Sequence, residues 1–99
     1  MRSVDLAVYA DALAAEVGAL SARMERARAQ LRQAAIEREA RGALSGESLQ
    51  RLEALGYFRP LDEDALACAL EAWRRALDAL EELQAWVEER LAAEAIAAR

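Results

Sequence analysis

The chain has 99 residues, 56% of them hydrophobic and 31% charged, and its 13 arginines and 18 acidic residues leave a net charge of −5. This length is typical of one domain, and the absence of any uncharged run longer than six residues excludes a membrane-spanning segment. Cys68 is the only cysteine, which excludes an intrachain disulfide and a multi-cysteine zinc site. Histidine, the commonest metal ligand, is absent.

Helix-forming residues dominate the composition. Alanine contributes 26 residues and leucine 15, whereas the β-branched residues are four valines and two isoleucines, with no threonine. This predicts an all-α fold, since a sheet would have little from which to form. Three of the four glycines and the only proline lie between Arg41 and Asp62, and they separate two long helical segments.

The first helix is predicted over about residues 4–41, with Ser3 as its N-cap and Gly42 just after its end. Its apolar residues recur in alternating steps of four and three, which is the heptad spacing of a helix packed against another helix. This α1 seam consists of Leu6, Ala10, Leu13, Val17, Leu20, Met24, Ala27, Leu31 and Ala34.

A short helix is predicted over about residues 46–55, with Ser45 as its cap, Gly56 at its end and a buried edge of Leu49, Leu52 and Leu55. The third helix is predicted over about residues 62–98, with Asp62 as its cap. It repeats the heptad spacing, and Trp73 on its seam is expected to be buried. The α3 seam consists of Leu66, Leu70, Trp73, Leu77, Leu80, Gln84, Val87 and Leu91.

Charge indicates how the two long helices pair. Residues 23–41 carry six arginines and three glutamates, whereas residues 62–82 carry seven acids and two arginines. An antiparallel hairpin places these segments, with net charges of +3 and −5, side by side. We therefore expect a single helical domain over residues 1–99, made of two long antiparallel helices and a short connecting helix.

A hairpin of two helices buries only one stripe of each helix, and further apolar residues remain outside the seams. We expect the chain to cover them by self-association, completing a four-helix bundle as a homodimer, or by binding another protein. Leu83, Trp86 and Arg90 are the predicted partner-binding residues. Tryptophan and arginine are enriched at binding hot spots, and Trp86 points away from the seam.

No catalytic, cofactor-binding or metal-binding residues are predicted, because the seams carry no acidic residue before Glu94. We expect a non-enzymatic assembly, adaptor or accessory subunit that acts through protein–protein contacts. Asp5 and Asp11 interrupt the only stretch that would suit a signal peptide, so a cytoplasmic protein is expected, with no membrane partner.

The alternative function is a small transcription regulator or antitoxin-like protein that binds a partner protein and DNA. The segment SGESLQRLEALGYFRP, residues 45–60, resembles the short capped helices of helix-turn-helix regulators. The net charge of −5 opposes this alternative, because sequence-independent nucleic-acid binding depends on a positive surface. Nucleic acid is therefore not expected as a partner.

Overall fold

The computed structural model describes residues 2–98, which form three α-helices: α1 (Ser3–Ala43), α2 (Gly46–Ala54) and α3 (Glu63–Ala97). α1 and α3 pack against each other along their length, and α2 lies in the connection between them. The predicted all-α helical hairpin is confirmed, with every helix boundary within two residues of its predicted position. No helix in this part of the chain is long and apolar enough to cross a membrane.

Both predicted ends of α1 are wrong in detail. The N-cap is Arg2, without a side-chain hydrogen bond, and the hydroxyl of Ser3 instead donates to Oε2 of Glu94 at 2.6 Å. At the other end Gly42 lies within the helix, and the cap residue is Leu44 in an extended conformation. An extended cap directs the chain straight into Ser45, so no left-handed residue is required there.

The caps of the other two helices are as predicted. Ser45 Oγ accepts a hydrogen bond from the backbone N–H of Ser48 at 3.2 Å, and Asp62 Oδ1 accepts one from Ala65 at 3.0 Å. Each satisfies a backbone donor that has no partner within its own helix. Gly56, which follows α2, has a φ of 97° that favours glycine.

The predicted buried edge of α2 is wrong at its last residue. Leu55 is the C-cap of α2 and is 75% exposed, whereas Leu49 and Leu52 are half-buried. The turn at Gly56 redirects the chain, so that Phe58 is buried in its place.

Both heptad seams lie between the two long helices. Every residue of each predicted seam is buried or half-buried, which confirms the predicted register. Trp73 is half-buried rather than buried, however. The guanidinium carbon of Arg23 lies 5.6 Å from the centroid of the Trp73 ring, a cation–π contact between the two long helices.

The hairpin is long and thin, measuring 73 × 22 × 16 Å. Its radius of gyration is 21.7 Å, whereas a compact domain of this length has about 13 Å. Within residues 2–98, seven apolar side chains are buried, and no polar or charged residue is. Two helices in one layer leave most of each helix surface in contact with solvent.

Candidate functional site

A groove opens on one face of the hairpin at its open end, where α1 begins and α3 ends. It encloses a cavity of about 300 Å³, lined by Asp5, Leu6 and Tyr9 of α1 and by Leu83 and Trp86 of α3. We call this feature the open-end groove. Four of its five lining side chains are apolar or aromatic, so the groove offers a mostly hydrophobic contact surface.

The floor of the groove belongs to the core of the hairpin. Leu6 is buried and packs in a cluster with Leu13 and Val87. Leu83 is half-buried and packs against this cluster. The floor is therefore held in place by contacts within one chain.

The walls of the groove are aromatic and exposed. Tyr9 is 48% exposed and Trp86 is 46% exposed. The guanidinium carbon of Arg90 lies 5.9 Å from the centroid of the Trp86 ring, a cation–π contact on the solvent side of the wall. Two large rings that leave half of their surface in water provide apolar area that a partner is able to cover.

The structure therefore brings the three predicted partner-binding residues together, but in different positions. Leu83 lies in the floor, Trp86 forms a wall, and Arg90 lies over Trp86. Their role as a partner site stays a prediction. The sequence reasoning missed Tyr9, which lies on the same flank of the α1 seam as Asp5 and faces Trp86 only because of the register between the two helices.

The two flanks of the α3 seam differ sharply in composition. One flank contains ten residues in steps of four and three, of which only Arg90 is charged. We call this the alanine flank: Ala65, Ala69, Ala72, Ala76, Ala79, Leu83, Trp86, Arg90, Ala93 and Ala97. The opposite flank also has ten residues between positions 64 and 95. Six of them are charged: Asp64, Glu71, Arg74, Asp78, Glu81 and Glu88.

The alanine flank continues the open-end groove along the hairpin. Leu83 and Trp86 belong to both features. Ala72, Ala76 and Ala79 are exposed. Small side chains allow another helix to approach closely, whereas the charged flank would lose its hydration in such a contact. The alanine flank of α3 is therefore suited to packing, and the opposite flank of α3 is suited to solvent.

At the closed end, arginines of α1 hold the connector in place. The guanidinium carbon of Arg41 lies 5.2 Å from the centroid of the Phe58 ring, and Arg41 Nη2 donates to the Phe58 carbonyl at 3.3 Å. Arg41 also pairs with Glu53 at 3.5 Å, and Arg38 pairs with Glu63. The hydrogen bond to Glu63 and its negative charge raise the pKa of Arg38 above its ordinary value.

The closed end has cavities of its own, but their charges are mixed. Two adjoining cavities of about 220 and 290 Å³ lie between α1 and the connector. Arg38, Arg41 and Arg59 line them together with Glu37 and Glu63, so both cations and carboxylates are present in the walls. A wall of both signs favours neither an anionic nor a cationic ligand.

The described side chains include few groups with the chemistry of a reaction centre. Within residues 2–98, no three cysteine, aspartate or glutamate side chains lie close enough together to hold a metal ion. Cys68 is exposed on α3, in a shallow depression lined also by Glu71 and Arg75. No protein-family model, curated protein or solved structure matches the chain. Functional inference therefore depends on the groove and the two flanks.

Proposed function

We propose that this chain is a non-enzymatic helical assembly or adaptor subunit, which acts through protein–protein contacts made by the open-end groove and the alanine flank. One observation carries the proposal: the accessible surface of the chain is 7510 Å². A compact monomer of its mass, 10.9 kDa, would expose about 5,600 Å². The excess, roughly 1,900 Å² for one chain, is more than the roughly 800 Å² that each partner contributes to a standard protein–protein interface, and it suits the larger interfaces of obligate complexes.

The composition of the groove supports the same proposal. Trp86 and Arg90 are of the residue types most often found at hot spots, and both lie next to a floor that is already ordered by intrachain packing. A preformed floor lowers the conformational entropy that binding would cost. Leu83 then contributes by shaping the floor, and Trp86 contributes by direct contact.

A second copy of the chain is the partner that we propose first, giving a homodimeric four-helix bundle. Another protein with an apolar helical face is the other partner of the same class. We place the subunit in the cytoplasm, because the free thiol of Cys68 is exposed and suits a reducing compartment. We propose no membrane, metal or cofactor as a partner.

Nucleic acid is not proposed as a ligand. The arginines of residues 23–41 lie alongside the acidic half of α3, and the net charge is −5. Acidic residues beside these arginines and a net negative charge both oppose the counterion release on which duplex binding depends.

The proposal is tested by light scattering on the purified chain over a range of micromolar concentrations. One chain has a mass of 10.9 kDa, and we expect to measure twice that mass. We also expect the midpoint of thermal unfolding to rise as the protein concentration rises. A single chain with a sharp thermal transition at these concentrations would contradict the homodimer. Adding a generic DNA duplex to the same samples tests the regulator alternative, which predicts binding that weakens steeply as salt rises.

A further inference from the structure

The open-end groove has a charge on each side of its aromatic walls. Asp5 lines the α1 side, and Arg90 lies over Trp86 on the α3 side. Both are exposed, and the five ion pairs formed within residues 2–98 involve neither of them. The groove therefore has one charge of each sign outside those ion pairs, and a two-fold axis is able to place each one opposite its counterpart in a second copy.

We propose that the groove faces of two copies pack together about a two-fold axis parallel to the long helices, so that Asp5 of each copy faces Arg90 of the other. This inference rests on the proposed function, and it specifies the surface, the orientation and a contact. In such a dimer the α1 wall of one groove lies opposite the α3 wall of the other. Tyr9 of each copy then covers Trp86 of the other.

The area available agrees with a single such interface. Covering the roughly 1,900 Å² of excess surface on each of two copies would bury about 3,800 Å² in total, which is within the range of obligate homodimer interfaces. The alanine flank of α3 carries the single charge of Arg90 whereas the opposite flank carries six charges, so the face that bears the alanine flank is better suited to burial. A two-fold dimer uses that face on both copies and is closed, with no further copy to add.

Charge selects the orientation. Two face-to-face hairpins related by a two-fold axis have their connectors either at opposite ends or at the same end. With connectors at opposite ends, α3 runs antiparallel to α3 of the other copy, so residues 62–82, net −5, lie beside residues 83–97 of the other copy, net −2. With connectors at the same end, each acidic segment lies beside residues 23–41 of the other copy, net +3. Like charges at an interface are strongly unfavourable, so the connectors belong at the same end.

The same-end arrangement also matches the groove with itself. A two-fold rotation about an axis parallel to the helices places α1 of one copy opposite α3 of the other. Each residue keeps its distance from the open end. Asp5 and Arg90 lie at nearly the same distance from that end, since both are at one groove. In the opposite arrangement, Asp5 would instead face the other copy near the connector, far from Arg90.

A charge-exchange experiment tests this contact. We would make Asp5→Arg and Arg90→Asp as two separate full-length chains and measure association by sedimentation. Each variant alone is expected to weaken the dimer by about tenfold, because one substitution creates two like-charge contacts in a two-fold dimer. An equal mixture is expected to regain the association of the parent chain, since the mixed dimer has two contacts between opposite charges.

Matched controls lie away from the groove face. Asp11→Arg and Arg74→Asp make the same changes in charge at exposed positions, Arg74 being on the charged flank of α3. Alone or mixed, they are expected to leave association unchanged to within about threefold. If mixing the control variants raises association as much as mixing the groove variants does, then net charge rather than the contact between Asp5 and Arg90 decides pairing. That result would overturn the proposal.

The remaining outcomes separate the two proposals. If the parent chain is monomeric, both the homodimer and this arrangement are wrong. If the parent dimerises but the mixture regains nothing, the homodimer stands and this arrangement is overturned. If Asp5 and Arg90 instead pair within one chain, the mixture also regains no association, because mixing does not change intrachain contacts.

Discussion

At the closed end of the hairpin the ring of Phe58, which belongs to the connector, is buried, and Arg41 contacts it through a cation–π interaction and a hydrogen bond to the Phe58 carbonyl. At the open end, Leu6 and Val87 are buried, yet the rings of Tyr9 and Trp86 beside them are about half exposed. The difference follows from chain connectivity. A loop can fold back over one end of a hairpin, but nothing within residues 2–98 covers the other.

The two ends of the hairpin also differ in how their charges are paired. The closed end pairs its charges within the chain, as Arg38 with Glu63 and Arg41 with Glu53. The open end leaves Asp5 and Arg90 outside the ion pairs of the described residues and places apolar rings between them. The closed end, whose charges pair within the chain, stabilises the hairpin. The open end, whose charges and rings lack such contacts, is where we expect a partner to bind.

The largest expected effect on stability is at the floor of the open-end groove. Leu6→Ala removes a buried side chain from the cluster with Leu13 and Val87 and is expected to cost about 3 kcal/mol of unfolding free energy. Urea unfolding at a fixed protein concentration measures it. Val4→Ala, at an exposed position of the same helix, is the control and is expected to change stability by less than about 0.5 kcal/mol. Equal losses for the two variants would show that Leu6 does not lie in the core.

The next effect is on association rather than on folding. Trp86→Ala removes an exposed wall of the groove and is expected to weaken the dimer by about 2 kcal/mol, or about 30-fold, with helix content unchanged by circular dichroism. Adding Leu83→Ala is expected to lower the unfolding free energy as well, because Leu83 packs on the core.

Tyr57 provides the control from the other end of the molecule. It is an aromatic residue of the connector with a similar exposure, 55%. Tyr57→Ala is therefore expected to leave association unchanged. If both variants weaken the dimer equally, the closed end takes part in the interface and the contrast between the two ends is wrong. If Trp86→Ala unfolds the hairpin, its ring belongs to the intrachain core.

Local features of the fold could be predicted from the sequence. The heptad seams and the caps Ser45 and Asp62 each depend on residues within a few positions of one another, and the structure places them as expected. The hairpin itself followed from the breakers between Arg41 and Asp62 and from the opposite charges of the two segments.

Features that join distant parts of the chain could not. Ser3 was expected to cap α1, but its hydroxyl reaches Glu94, 91 residues away in sequence, across the open end. Trp73 lies on the seam as predicted, yet its cation–π contact with Arg23 joins residues that are 50 positions apart in the sequence. The position of Tyr9 opposite Trp86 depends on the register of two helices, which neither helix specifies alone.

The smallest effect that separates the two ends concerns their helix caps. At the closed end, Asp62 accepts a hydrogen bond from the N–H of Ala65, and Asp62→Ala is expected to cost about 1 kcal/mol of unfolding free energy. At the open end Ser3 caps nothing, and its bond to Glu94 joins two exposed side chains. Ser3→Ala is therefore expected to cost less than about 0.5 kcal/mol.

Asp62→Asn separates capping from charge, since asparagine caps a helix about as well as aspartate does. We expect this variant to retain most of the stability that Asp62→Ala loses, when all three are compared by urea unfolding at one protein concentration. A loss for Asp62→Asn as large as that for Asp62→Ala would mean that the negative charge near the N-terminus of α3, rather than the hydrogen bond, stabilises the closed end. A loss for Ser3→Ala above that for Asp62→Ala would mean that the bond to Glu94 fastens the open end within one chain. That end would then be less dependent on a partner than the exposed rings of Tyr9 and Trp86 indicate.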